Sequence, residues 1–143
     1  MLKGIPAIIP PELLKILMEM GHGDEIVFSD GNFPAAAYAQ RLVRCDGHGV
    51  PEILDAILKF LPLDPYVETP AVLMQVAPGD TVKTPIWDVY KDIVKKYEPV
   101  NNKFENMERF AFYERAKKAY AIVATGEKAL YANIILKKGV VVE

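Results

Sequence analysis

Apolar positions recur along this chain in two rhythms. Leu13, Leu14, Leu17 and Met18 fall at helical spacing behind Pro11. A proline at the first helical position loses nothing, because the N–H it lacks would have no partner there. A helix opening at Pro11 and stopping near Gly21 is expected. Ile53, Leu54, Ile57, Leu58 and Leu61 form a second stripe behind Pro51, ended by Pro62 and Pro65. Ile86, Val89, Tyr90, Ile93, Val94 and Tyr97 follow the same spacing, with Thr84 as N-cap and Pro85 as first helical residue.

The other rhythm is the short, continuous apolar run, which suits a strand covered on both faces. Glu25–Ser29, Ala71–Ala77, Tyr120–Ala124 and Tyr131–Leu136 read as such strands, and Arg41–Cys45 is a further short strand candidate. Glu108–Ala119 reads as a polar helix or as a strand running into one. Asp30-Gly31-Asn32-Phe33-Pro34 and Asp46-Gly47-His48-Gly49 have the composition of loops and turns, and Thr125–Lys128 parts the last two strands. Strands alternating with helices predict an α/β fold: a single three-layer α/β/α domain over residues 1–143 with a central, largely parallel sheet.

Composition narrows the function by exclusion. With 143 residues, 51% hydrophobic and 25% charged, the chain can build a core and is not a disordered polymer. A net charge of −2 gives no basic excess for nucleic acid. The one cysteine, Cys45, excludes an intrachain disulfide framework and suits a reducing, cytoplasmic setting. No apolar run reaches the roughly 18 residues of a membrane span, and Pro10 and Pro11 interrupt the N-terminal apolar stretch, so neither membrane insertion nor a signal peptide is expected.

Neither G-x-G-x-x-G nor G-x-x-x-x-G-K-[ST] occurs, so no nucleotide cofactor is expected. The two histidines, His22 and His48, form no H-x-x-x-H pair, so no metal is expected either. His22 lies between two glycines. It is either an exposed turn residue or a general acid/base that a substrate can approach closely. His48 has the same glycine flanks, and there the turn reading is the stronger. Asp30 directly follows an apolar strand, where ligands bind in open α/β sheets, and could hold a polyol or close an Asx-turn. Arg109 reads on its own as part of a surface helix with Glu/Arg pairs. Tyr131-Ala132-Asn133 opens the last strand with an amide that needs a backbone or ligand partner. Tyr113 and Tyr120 could offer ring faces to a sugar, or serve core or interface packing.

Taken together, these residues resemble the RbsD/FucU family of sugar mutarotases, and within it the L-fucose branch. The matching stretches are Met1–Ile5, Pro11–Lys15, Glu19–Ile26, Asp30 with Asn32–Ala35, Arg109-Phe110, Tyr113–Ala116, Ala124–Glu127, and Tyr131 with Asn133. The resemblance implies cofactor-free interconversion of sugar anomers, with His22 as proton donor and Asp30, Arg109, Tyr131, Ala132 and Asn133 as substrate-binding positions; Tyr120 joins them as a candidate. Arginine at 109 resembles the fucose branch, since the ribose branch carries histidine there. The family's Tyr-Gly-Asn reads Tyr131-Ala132-Asn133 here, so a main-chain contact at 132 requires a negative φ. Members of the family form ring-shaped decamers with sites at subunit contacts, which implies a homo-oligomer. A ribose pyranase-type activity, a non-catalytic sugar-binding module and an interaction scaffold built on Phe110, Phe112 and Tyr113 are the competing readings. One spacing bears on assembly. His22 precedes the strand Glu25–Ser29 and Asp30 follows it, so a straight chain at about 3.3 Å per residue holds them roughly 20 Å or more apart. Either the His22 turn folds back, or the site is assembled between subunits.

Overall fold

The computed structural model describes residues 1–143. The elements run α1 (Pro11–Glu19), β1 (Glu25–Ser29), α2 (Ala35–Tyr38), β2 (Leu42–Cys45), α3 (Val50–Ile57), β3 (Ala71–Met74), α4 (Pro85–Tyr97), β4 (Phe104–Met107), α5 (Arg109–Lys118), β5 (Ala121–Thr125) and β6 (Ile134–Lys137). The six strands form one sheet in the order β2-β5-β1-β6-β3-β4. β2, β5 and β1 pair in parallel, as do β3 and β4, while β6 runs antiparallel to both β1 and β3. Five strands therefore share one direction, and the sheet is largely parallel, as the alternation of strands and helices predicts.

Strand parity sorts the core into two faces. Ile26, Phe28, Leu73, Val123, Ile134 and Leu136 point to the larger face, against α1, α3 and α4. Val27, Val72, Ile122 and Ile135 point to the other, against α2 and α5 through Ala35, Phe112 and Ala116. Since both faces are covered, the central strands read as unbroken apolar runs. Ala121–Ala124 and Ile134–Leu136 are buried throughout.

The boundaries move at several points. α1 ends at Glu19, with the extended Met20, rather than Gly21, closing it through its backbone N–H onto Ile16 O. Thr84 precedes α4 but makes no side-chain cap. The strand expected over Ala71–Ala77 ends at Met74, and the last strand begins at Ile134 rather than Tyr131. Glu108–Ala119 resolves as a helix, α5, whose N-terminus Glu108 caps by accepting from the Ala111 N–H. Its preceding strand, β4, and the four-residue α2 are additional elements. No helix is long and apolar enough to cross a membrane.

Candidate active site

The sheet has two edges with different chemistry. At the carboxyl edge of the parallel strands, β1 delivers Asp30, β3 delivers Met74 and β4 leads into Arg109. Because β6 is antiparallel and lies between β1 and β3, its beginning brings Tyr131 and Asn133 to the same edge. These residues line a cleft of about 280 Å³ together with Asn32, Phe33, Asp80, Tyr113 and Leu130. That is near the lower end for small-molecule sites, roughly 300–1,000 Å³.

Asp30 is 5% exposed and is held from several sides. Its Oδ1 accepts from the Asn32 N–H at 3.0 Å and its Oδ2 from the Ala132 N–H at 3.2 Å. Its own N–H donates to Asn133 Oδ1 at 2.8 Å, which leaves the Asn133 amide NH₂ as the group's remaining polar end. Burial pushes the Asp30 carboxyl above its usual range, against backbone N–H groups of Asn32 and Ala132 that favour the anion. Arg109 is exposed at the first turn of α5, with its guanidinium 4.6 Å from the Phe110 ring centre and no carboxylate in salt-bridge range. Tyr131 is the one non-glycine residue with positive φ, at 54°. Its hydroxyl donates to Asp80 Oδ2 at 2.7 Å, and its carbonyl accepts from the Trp87 indole at 2.7 Å.

Three of the expected site residues lie elsewhere. Ala132 is fully buried, and its N–H is spent on Asp30 rather than turned into the cleft. Its φ is not positive, so the strained position is Tyr131 and alanine fits at 132. Tyr120 sits at the opposite edge, where its N–H donates to Glu25 O and its ring carries the Arg41 guanidinium at 3.8 Å. His22 is at that opposite edge too. The Gly23 N–H donates to Lys138 O and the Lys138 N–H to Asp24 O, which fastens the His22 turn beside the end of β6. The turn does not fold back, and the length of β1 separates His22 from the Asp30 cleft.

What His22 meets instead is Asp64, a residue that no motif in the chain singles out. His22 Nε2 lies 3.0 Å from Asp64 Oδ1, which also accepts from the Tyr66 N–H at 3.0 Å. The Asp64 side chain is 5% exposed and that of His22 is 43% exposed. Asn101 Nδ2 donates to the Asp64 carbonyl, and the Asp64 N–H to Lys137 O. Burial works to raise the Asp64 carboxyl, but the hydrogen bonds from Tyr66 and His22 outweigh it and hold it below the usual carboxylate range. Asp64 is therefore an anion at neutral pH. As an anion it can only accept, so the proton of this hydrogen bond sits on His22 Nε2 and Nδ1 keeps its lone pair. No group of three or more His, Cys, Asp or Glu residues is placed to hold a metal ion.

A small polar cleft thus lies at one edge of the sheet and a carboxylate-backed histidine at the other. The sequence profile of the RbsD / FucU transport protein family matches residues 3–141, and the chain belongs to that family. It is 53% identical to the fucose mutarotase of Homo sapiens over 145 residues, covering 97% of this chain and 94% of the relative. Its fold matches the crystal structure of FucU from Bifidobacterium longum with a TM-score of 0.95 at 59% identity, covering 98% of this chain and 100% of that one. It also matches the fucose mutarotase of Streptococcus pneumoniae in complex with L-fucose, with a TM-score of 0.94 at 55% identity, covering 99% and 100% of the two chains.

Proposed function

We propose that this chain is a mutarotase that interconverts the α and β anomers of L-fucose by acid/base opening and reclosure of the hemiacetal ring. The observation that carries the reading is the cleft. A buried carboxylate, an amide, an unpaired guanidinium and a phenol converge there, in a chain 55% identical to a fucose mutarotase solved with L-fucose. Ring opening protonates the ring oxygen and removes the proton of the anomeric hydroxyl. The C1–O bond breaks to give the aldehyde, and reclosure on the other face reverses both transfers. The electrons stay within the sugar. One positioned acid/base group contributes on the order of 10² to 10⁴-fold.

In this reading His22 is the acid/base. Asp64 behind it steadies the tautomer by holding Nε2, and Nδ1 is the nitrogen left for the sugar. Asp30, Arg109, Tyr131 and Asn133 hold the hydroxyls. A monosaccharide cannot span the length of β1, so His22 of one copy serves the cleft of its neighbour. An apolar cleft of about 290 Å³ beside the His22 turn, lined by Met18, Met20, Phe60, Pro62 and Val141 among others, supports burial of that face against a second copy. Met18 is 81% exposed without one. The assembly is then a cyclic homo-oligomer, a decamer on the resemblance. Cys45, buried and unpaired, suits the cytoplasm.

Saturation-transfer NMR on L-fucose and D-ribose, side by side, tests the activity. Fast exchange of L-fucose anomers is expected, falling by on the order of 10² or more in His22→Ala with the fold intact. L-fucose binding without acceleration favours a non-catalytic module, and faster turnover of D-ribose a pyranase-type enzyme.

A further inference from the structure

Tyr131 is held in place at four points. Its carbonyl takes the Trp87 indole N–H, and the next peptide is fixed by the Ala132 N–H on Asp30 and by the Tyr90 hydroxyl on the Ala132 carbonyl at 2.7 Å. The fourth point is the phenol, whose oxygen donates to Asp80 Oδ2 at 2.7 Å and accepts from the Ala77 N–H at 3.4 Å. Asp80 itself is fixed. Its Oδ1 accepts from the Val82 N–H at 3.0 Å, and its own N–H closes a turn onto Ala77 O at 3.0 Å, through Gly79 at a φ of 85°. Asp80 and Tyr131 both line the cleft.

We propose that Asp80 is a positioning residue for the sugar reaction: by taking the Tyr131 hydroxyl proton it keeps the phenol oxygen as a hydrogen-bond acceptor for a sugar hydroxyl. The inference rests on the mutarotase reading of the same cleft. A phenol donates one proton and accepts through its oxygen. The proton is spent on Asp80, and the Ala77 N–H reaches the oxygen only at 3.4 Å, so toward a ligand the phenol is left as an acceptor. Turning the proton toward the sugar would break a bond to a carboxylate, and charge-assisted bonds are roughly twice as strong as neutral ones. This acceptor complements the donors of the cleft. Arg109 can only donate, and Asn133 Oδ1 is already occupied by the Asp30 N–H, which leaves its NH₂ as a donor. Each Asp30 oxygen accepts one backbone N–H and keeps a further lone pair. Each sugar hydroxyl can donate as well as accept, so a phenol fixed as acceptor beside Arg109 and the Asn133 NH₂ gives a further hydroxyl proton a partner. Asp80 thus sets the polarity of one wall of the site without being a catalytic residue.

The test is a double-mutant cycle on the full-length protein, with Asp80→Asn, Tyr131→Phe and both together, read as kcat and KM for L-fucose anomer exchange. An asparagine at 80 can donate its NH₂ to the phenol and release the phenol proton into the cleft. Asp80→Asn is expected to lower kcat/KM about tenfold at an unchanged melting temperature, since the bond is exposed and belongs to a loop. Tyr131→Phe is expected to lower it similarly, and the double variant no further than Tyr131→Phe alone. Asp80→Glu is expected to restore part of the loss. Wild-type kinetics in Asp80→Asn, a lowered melting temperature with unchanged kinetics, or fully additive losses in the double variant would each overturn the proposal. The last would mean that Asp80 acts on the sugar without Tyr131. Wild-type protein that does not exchange the anomers of L-fucose overturns the mutarotase reading, whereas wild-type exchange with an indifferent Asp80→Asn overturns this inference alone.

Discussion

Asp30 gathers backbone N–H groups that have no other partner, and its removal therefore does more than empty a binding position. Asp30→Ala leaves the Asn32 and Ala132 N–H groups unsatisfied beside the cleft, at about 1–3 kcal/mol for a buried donor. The expected outcome is a lower melting temperature together with loss of L-fucose binding by calorimetry. The pH dependence has a definite sign. Burial raises the folded pKa of Asp30 above its unfolded value. Its contribution to stability is thus fully present below the unfolded carboxylate pKa and is lost as pH rises through the folded one. The difference in melting temperature between wild type and Asp30→Asn should shift in that direction across the acidic range. Arg109 is the opposite case: exposed, with no carboxylate to lose. Arg109→Lys is expected to raise KM at an unchanged melting temperature, because an ammonium cannot reproduce the planar two-pronged donor. A fall in stability with unchanged KM would assign Arg109 to the scaffold. Asp30 was legible in the sequence because a carboxylate after an apolar strand has a known place in such sheets. Asp64 and Asp80 were not, since their partners His22 and Tyr131 lie 42 and 51 residues away.

At the scale of elements, α4 was legible because its apolar face repeats at helical spacing over 13 residues. β1, β5 and β6 were legible because both faces of the sheet are covered. β4 was hidden for the converse reason: it is an edge strand, Phe104-Glu105-Asn106-Met107, with none of its residues fully buried. The direction of β6 was hidden as well, although it decides the site by carrying Tyr131 and Asn133 to the edge where β1 and β3 end. Orientation depends on the path of the connection, which residue patterning does not record. The loop from β5 to β6 shows what holds that edge together. The Gly31 N–H donates to the Glu127 carbonyl, and the Glu127 carboxylate accepts from the Val50 N–H at the start of α3 and from the Ala129 N–H. Gly126 makes this approach possible. A Cβ there would lie 2.1 Å from the Asp46 carbonyl oxygen, a backbone atom that cannot turn away. Gly126→Ala should cost about 1–3 kcal/mol or more by overpacking. By displacing Glu127 it should also lower kcat/KM, so thermal melting and anomer exchange should fall together. An unchanged melting temperature would show that the loop yields freely.

For the whole molecule the decisive relation is between the two edges of the sheet. The sequence spacing left two arrangements open, and the hydrogen bonds tying Gly23 and Asp24 of the His22 turn to Lys138 remove the fold-back. If His22 and the Asp30 cleft act on one sugar, they belong to different copies, and two rigid subunits then hold acid and binding groups more firmly than one long loop would. Mixed assemblies test this directly. His22→Ala subunits lack the acid but keep the cleft. Asn133→Ala subunits keep the acid but lose the amide that receives the Asp30 N–H. Each variant alone should be inactive. After dissociation and reassembly at equal amounts, a shared site is intact wherever an Asn133→Ala subunit faces its histidine into a His22→Ala cleft, which random mixing gives for roughly one site in four. Recovery of anomer exchange toward that fraction of wild-type activity is the expected result. Absence of recovery, with subunit exchange confirmed by mass spectrometry, would place both residues in one chain's site, and a fully active monomer would end the shared-site arrangement.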